Sequence, residues 1–124
     1  MKFDGQKFFE IAIKDPEFNR EIRYFDGTVK LLMGNDTYLL VIKDGVLINV
    51  LSNFVATTTA DVTFIGDDYQ WVNLLAAVPK PFYQCLQTAC VKHGMKMTND
   101  PKSLAYLPAW NRMIRILRDK VING

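Results

Sequence analysis

The sequence contains few side chains whose types and spacing could perform a reaction. An enzyme needs a nucleophile beside a base, a pair of carboxylates or a set of metal ligands. Ser52 and Ser103 have no histidine at a recognisable spacing, and the only histidine, His93, falls in the last turn of a predicted helix. The chain also lacks a glycine-rich phosphate loop. We therefore predict no catalytic residue, no cofactor and no metal site.

Acidic and tyrosine side chains leave one enzymatic alternative open. A proton-transfer isomerase or hydratase acting on an apolar substrate needs only one buried carboxylate or tyrosine, which Asp61, Tyr69 or Tyr83 could supply. Asp67 has a simpler role, because it can cap the helix that follows while Gln70 reaches back to complete a capping box. Small isomerase and hydratase folds of this length usually end in strands, whereas this chain ends in a predicted helix. That difference counts against the enzymatic alternative.

Charge and composition exclude several classes of protein. The chain has 124 residues, with 15 basic and 13 acidic side chains and a net charge of +2. The numbers of positive and negative charges are too nearly equal for strong electrostatic binding of nucleic acid. No apolar run approaches the roughly 20 residues of a membrane span, and no secretory signal segment is expected. The length and ordinary composition predict a single domain over residues 1–124.

The two cysteines, Cys85 and Cys90, indicate the redox environment. They stand five residues apart in what the pattern predicts to be one helix, where their side chains point to different faces. Their backbones are then too distant for a disulfide bond. We expect free thiols and a cytoplasmic location.

The first half of the chain is predicted to form two helices and three strands. Phe3–Lys14 has helical spacing, and Pro16 can open a short second helix. Alternating apolar residues and turn signals then predict an antiparallel meander. Its strands are Thr28–Met33, Tyr38–Lys43 and Val46–Leu51. In the third strand, we expect Val46, Ile48 and Val50 on the same face.

The second half of the chain is predicted to be mainly helical. A strand over Thr57–Ile65 leads into a helix over Asp68–Val78, and another helix starts at Pro81. A short strand over Met95–Thr98 then precedes a last helix over Pro108–Val121. Helices of this half are expected to pack on the sheet formed by the strands.

Three segments of the chain resemble a known family. Tyr38–Gly45 is an apolar strand that ends in a hairpin turn, Ala60–Trp71 passes from a strand to a capped helix, and Met95–Asp100 is a short strand with a turn. With the order of the elements, these segments resemble the sterol carrier protein (type 2) lipid-transfer family over nearly the whole chain. The bulky aromatic residues and prolines of the helical half indicate a divergent branch.

The resemblance implies both a fold and a ligand class. The implied fold is α+β, with a five-stranded, mixed but mainly antiparallel sheet covered on one face by helices and with a C-terminal helix at the end. An apolar tunnel between sheet and helices would bind a sterol, a fatty acid, a fatty acyl-CoA or a phospholipid.

Candidate ligand-binding residues lie mostly on the apolar faces of the helices. Such stripes normally belong to a core, but aromatic and methionine side chains also suit a tunnel for varied apolar ligands. Both interpretations stay open for the set as a whole. Its members are Trp71, Leu74, Leu75, Phe82, Leu86, Met97, Tyr106, Trp110, Met113 and Leu117. Arg112 and Arg115 could meet a carboxylate or phosphate head group, although such residues more often form a solvated helix face.

The sequence therefore predicts non-catalytic binding or transfer of a lipid or other apolar small molecule. Transient contact with a membrane is expected as well, and nucleic acid is not expected as a partner. Two alternatives remain, a small isomerase or hydratase and an accessory module whose apolar groove takes a partner helix. The identity of the ligand and the oligomeric state stay open.

Overall fold

The computed structural model describes residues 1–52, 59–98 and 100–124 of the chain. Within these ranges the chain forms helices and five strands. The helices are α1 (Gly5–Ala12), α2 (Pro16–Glu21), α3 (Asp68–Leu74), α4 (Leu86–His93), α5 (Asp100–Ala105) and α6 (Leu107–Ile116), with a wider π-helical continuation over Leu117–Ile122. The strands are β1 (Gly27–Met33), β2 (Asp36–Lys43), β3 (Val46–Ser52), β4 (Val62–Gly66) and β5 (Lys96–Met97).

The strands form one sheet in the order β3-β2-β1-β4-β5. β1 and β2, β2 and β3, and β4 and β5 pair antiparallel, whereas β1 and β4 run parallel. The predicted α+β fold with a mixed, mainly antiparallel five-stranded sheet is confirmed, and so is the three-strand meander. Alternate residues of the central strands are buried in the core; examples are Val29, Leu31, Leu40, Ile42 and Phe64.

The third strand contains an irregularity that the sequence pattern does not indicate. Ile42 pairs with Leu47, but the pairing shifts by one position just before it, so that Ile48 is skipped. Because of this β-bulge, the side chains at the start of β3 point to the opposite faces of the sheet from those that regular alternation would give. Leu47 is buried, whereas Val46 and Ile48 are about half exposed. The prediction that Val46, Ile48 and Val50 share one face is therefore wrong.

Side-chain caps mark the starts of three helices. Asp4 caps α1, and Asp15 caps α2 by accepting from the amide of Phe18 at 2.7 Å. At the start of α3, the Gln70 amide donates to Asp67 at 2.7 Å while the Asp67 amide donates to the Gln70 side chain at 2.8 Å. The predicted capping box is confirmed. It fixes the point at which the chain leaves β4 and enters the helical layer.

The connection between α3 and α4 departs from the prediction. α3 ends at Leu74 instead of Val78, and α4 begins at Leu86 instead of Pro81. Between the two helices, Phe82 has a φ angle of 67°, in the left-handed region, which interrupts a right-handed helix. The prediction of a helix beginning at Pro81 is wrong because the chain makes a turn there.

Other boundaries agree in part. β4 starts at Val62, and the predicted strand start at Thr57 lies outside the described residues. The last predicted helix, Pro108–Val121, corresponds to α6 with its continuation, whereas α5 was not predicted. Cys85 immediately precedes α4 and Cys90 lies within it; both are free, and burial raises the pKa of the Cys90 thiol.

The C-terminal helix holds the helical layer together. α6 packs against α1, α2, α4 and α5, and its π-helical continuation also packs against α1. Its buried face consists of Ala109, Trp110, Met113, Ile114 and Ile116. Among the described residues, no helix is long and apolar enough to cross a membrane.

Candidate ligand-binding site

Most of the predicted ligand-binding residues lie in the core between the sheet and the helices. The buried members are Trp71, Leu74, Leu75, Leu86, Trp110, Met113 and Leu117. Met97 and Tyr106 are partly buried and pack against the same core. Phe82 is separate from the set, because 48% of its surface is exposed. The structure therefore brings nine of the ten residues to one apolar cluster.

Trp71 is held in the core by a hydrogen bond as well as by packing. Its Nε1 donates to the carbonyl of Leu32 at 2.7 Å, which ties α3 to β1. The indole lies so close to Gly66 that a Cβ atom there would be 2.9 Å from Nε1. A side chain at this position would therefore require the indole to shift.

Trp110 occupies a different environment. Its ring meets Phe25 edge-on at 5.2 Å and Phe64 at 6.0 Å, and Tyr106 lies 6.2 Å away between ring centroids. The indole is completely buried, and within the part of the chain that the structure describes its Nε1 has no hydrogen-bond partner. No sequence signal identifies this unpaired donor, because it depends on which groups the fold brings to the indole.

Methionine side chains belong to the same core as the aromatic cluster. Met33, Met95 and Met113 are buried in the core, and Met97 packs against it. Met97 on β5 pairs with Phe64 on β4, and the ring of Phe64 in turn contacts Trp110. Because methionine is flexible and polarisable, this part of the interior can adjust its shape more readily than an all-aromatic core.

Surface depressions occur elsewhere on the molecule. Three of them have volumes of about 510, 470 and 420 Å³. The first is lined by Glu10, Lys14, Asp15 and Lys120 among others, the second by the turns around Gly34 and Gly94, and the third by Thr28 and Asp61. None of the predicted ligand-binding residues lines these three depressions.

Comparison with solved structures identifies the fold. The chain matches a crystal structure of sterol carrier protein 2 with a TM-score of 0.75, at 12% sequence identity and with 92% of each chain covered. The chain has the sterol carrier protein 2 fold. A conserved hypothetical protein from Thermus thermophilus, described as possibly a sterol carrier protein, gives a TM-score of 0.72 at 11% identity, with 92% of this chain and 83% of that chain covered.

A further structure with this fold is described as the ubiquinone synthesis protein UbiJ-SCP2. It matches with a TM-score of 0.58 at 13% identity, and 90% of this chain and 88% of that chain are covered. No protein-family model and no curated protein sequence matches the chain. The sequence identities to these three structures are low, at 11–13%.

In this sterol carrier protein 2 fold, Arg112 joins two helices. Its Nε and one terminal nitrogen donate to the two oxygens of Asp15 at 3.0 and 2.6 Å, and Nε also lies 3.4 Å from Glu17. The guanidinium lowers the pKa of the Asp15 carboxyl, and that carboxylate in turn raises the pKa of Arg112. Arg115 is exposed on the same helix. A head-group role remains a prediction for both arginines.

Arg118 has a structural position that the sequence does not reveal. The side chain is buried and donates to the carbonyl of Leu74 at 3.0 and 2.6 Å, and to those of Tyr83 and Gln84 at 3.3 Å each. Burial lowers the pKa of the guanidinium. Arg118 thus joins the end of α3 and the segment before α4 to the C-terminal helix.

The residues considered for proton transfer occupy unlike environments. Asp61 is partly exposed, and its pKa is lowered because it accepts from the amide of Thr28 at 2.8 Å and lies 3.3 Å from Lys102. Tyr69 is exposed, whereas Tyr83 is buried and its pKa is raised by burial.

Within the described ranges, no group of three or more His, Cys, Asp or Glu side chains could hold a metal ion.

Proposed function

We propose that this chain binds or transfers an apolar ligand that carries an oxygen atom, and that the ligand lies beside Trp110 between the sheet and the helices. The fold supports this position, because the apolar faces of the sheet and α6 meet there. The observation that carries the proposal is the unpaired Nε1–H of Trp110. Sterols, fatty acids, fatty acyl-CoA and phospholipids all offer an oxygen that could accept this hydrogen bond.

The two buried tryptophans show why the unpaired donor matters. A buried N–H group without an acceptor costs about 1–3 kcal/mol. Trp71 avoids this cost by donating to the carbonyl of Leu32. Trp110 has no such acceptor among the described residues, and a ligand oxygen would remove the cost. The ligand would be recognised by one hydrogen bond and held mainly by burial of its apolar body.

Ligand entry requires side chains to move, because the tryptophan rings occupy the interior. Met97 and Tyr106 are partly exposed and pack against the cluster, and Met113 is buried within it. Methionine can change its rotamer at low cost, so these positions suit a site that opens when a ligand enters. We therefore propose that the volume of the site is created on binding.

Native mass spectrometry of gently purified protein tests the proposal directly. The expected result is a population whose added mass corresponds to one bound lipid. A fluorescent fatty acid should also bind and be displaced by unlabelled fatty acid or fatty acyl-CoA. Absence of bound lipid together with absence of probe binding would contradict the proposal.

Replacing the two tryptophans one at a time separates ligand recognition from stability. In Trp110→Phe, the lost ligand hydrogen bond should weaken binding of the fluorescent fatty acid roughly tenfold. Trp71→Phe is the matched control, because it also replaces a buried indole with the smaller phenyl ring. We expect this variant to keep its affinity but to be less stable than Trp110→Phe by about 1 kcal/mol, since the carbonyl of Leu32 loses its donor. Binding titrations and urea unfolding of both variants provide the measurements.

An accessory role in an assembly is a second candidate function. The likeness to UbiJ-SCP2 and the filled interior favour it. A stable protein complex, recovered with no lipid in native mass spectrometry, would support this role. Catalysis has less support, because a general base in an apolar site needs a raised pKa, whereas that of Asp61 is lowered.

A further inference from the structure

The turn between α3 and α4 places a bulky residue where the backbone favours glycine. The amide of Tyr83 donates to the carbonyl of Lys80 at 3.0 Å, which closes a four-residue turn with Pro81 in second position. Phe82 is third, with a φ angle of 67°. Turns with proline second and a positive φ third normally carry glycine or asparagine in third position. Phenylalanine therefore adds backbone strain here.

Core packing does not account for this phenylalanine. About half of its surface is exposed, at 48%, and the residues on either side fix the turn without it. His93 lies 2.9 Å from the carbonyl of Pro81 through its Nε2, and its ring stacks on Tyr83 with centroids 3.8 Å apart. The turn is thus anchored to the last turn of α4 by residues other than Phe82, whose ring is half exposed beside Lys92. A strained residue that is not needed for packing indicates a role at the surface.

Phe82 is one of several exposed apolar side chains on α3 and the connection that follows it, and a lysine lies beside each of the Phe82 and Tyr69 rings. We call this region the Phe82 surface; its members are Tyr69, Val72, Val78, Lys80, Phe82 and Lys92. Val78 is 87% exposed, and Tyr69 and Val72 are also mainly exposed. The Nζ of Lys92 lies 5.4 Å from the Phe82 ring, and that of Lys80 lies 3.3 Å from the Tyr69 hydroxyl.

We propose that the Phe82 surface docks on a lipid bilayer that contains anionic phospholipid. Aromatic and aliphatic side chains on a protruding turn can enter the boundary between head groups and acyl chains, where an aromatic ring is favoured. Lys80 and Lys92 stand beside the rings, so their ammonium groups would lie at the level of the lipid phosphates. Exposed rings with ammonium groups beside them match the head-group boundary of an anionic bilayer, and binding of an acidic protein instead is the competing outcome of the test. The proposal is independent of the ligand site beside Trp110, because docking needs no occupied interior.

Vesicle flotation of the full chain tests this docking. Wild-type protein should float with vesicles of phosphatidylcholine and phosphatidylglycerol, and much less with phosphatidylcholine alone. Phe82→Gly should bind the anionic vesicles roughly tenfold more weakly, because the inserted ring is lost. Glycine suits the positive φ angle, so the thermal unfolding midpoint should not fall.

Tyr24→Ser is the matched control. Tyr24 is an aromatic residue outside the Phe82 surface with 79% exposure and a cation beside it, since the Arg23 guanidinium lies 4.8 Å from its ring centroid. This variant should bind anionic vesicles as the wild type does. Equal losses in Tyr24→Ser and Phe82→Gly would overturn the proposal, because they would show that any exposed aromatic ring contributes.

Charge removal tests the contribution of the lysines. The double substitution Lys80→Gln with Lys92→Gln should weaken binding to anionic vesicles by about tenfold or more and reduce the effect of added salt. Failure of the wild type to bind anionic vesicles would overturn the proposal. It would also be overturned if Phe82→Gly abolished self-association or a protein complex while vesicle binding stayed unchanged.

Discussion

Replacing Arg118 with methionine is expected to lower the free energy of unfolding by about 3 kcal/mol. The guanidinium is buried and donates to the carbonyls of Leu74, Tyr83 and Gln84. Methionine fills much of the same volume but donates no hydrogen bond, so these carbonyls lose their donor in a site with little access to water. Urea unfolding followed by circular dichroism measures the difference.

Arg115→Met provides the control for this prediction. Arg115 lies on the same helix but is exposed, so its replacement should change the unfolding free energy by no more than about 0.5 kcal/mol. If the two variants lost the same stability, the buried hydrogen bonds of Arg118 would not be an important anchor of the connection between α3 and α4.

Replacing Asp15 with asparagine is expected to destabilise the fold by about 2 kcal/mol at neutral pH. Asparagine caps a helix about as well as aspartate, so the bond to the Phe18 amide can be kept. The charged, two-point contact with Arg112 is lost. Asp4→Asn is the matched control, because Asp4 is also a helix cap, and its replacement should have little effect.

The pH dependence of the Asp15 effect has a definite sign. The pKa of Asp15 in the folded chain lies below the ordinary value of 3.8. The stabilisation is therefore complete above that value and is lost as the pH falls through the lower, folded-state pKa. The stabilities of wild type and Asp15→Asn should thus begin to converge as the pH falls below about 4, and they should meet only below the folded-state pKa of Asp15. A difference that stayed constant from neutral to strongly acidic pH would contradict the ion-pair explanation.

The features that the sequence predicts correctly are those with local causes. The capping box of Asp67 and Gln70 and the start of α2 at Pro16 each depend on residues within one helical turn. The hairpin at Gly45, which has a positive φ angle, likewise needs only neighbouring residues. These signals place most of the strands and helix starts, and the order of the elements then indicates the fold.

The missed features depend on contacts between distant parts of the chain or on irregular backbone. Asp15 and Arg112 are 97 residues apart, so no local pattern links them. Arg118 lies one turn after Arg115, and its hydrogen bonds reach the carbonyls of Leu74 and Tyr83, which are more than 30 residues away in the sequence. The bulge at Ile48 and the turn at Phe82 break a regular period without a glycine to mark them. The unpaired Nε1 of Trp110 is also a property of the assembled core.

The packing of α6 against α1 and α2 has a consequence for the order of folding. The meander of β1 to β3 can form early because its contacts are local, but the helical layer that covers it is completed by a helix near the other end of the chain. Protein synthesis adds roughly 5–20 residues per second, so the apolar face of the newly formed sheet stays uncovered for several seconds before α6 has been synthesised. Contacts of such large sequence separation form slowly. Docking of the C-terminal helix is therefore the expected rate-limiting step, and the nascent chain before that step is the species most in need of a chaperone.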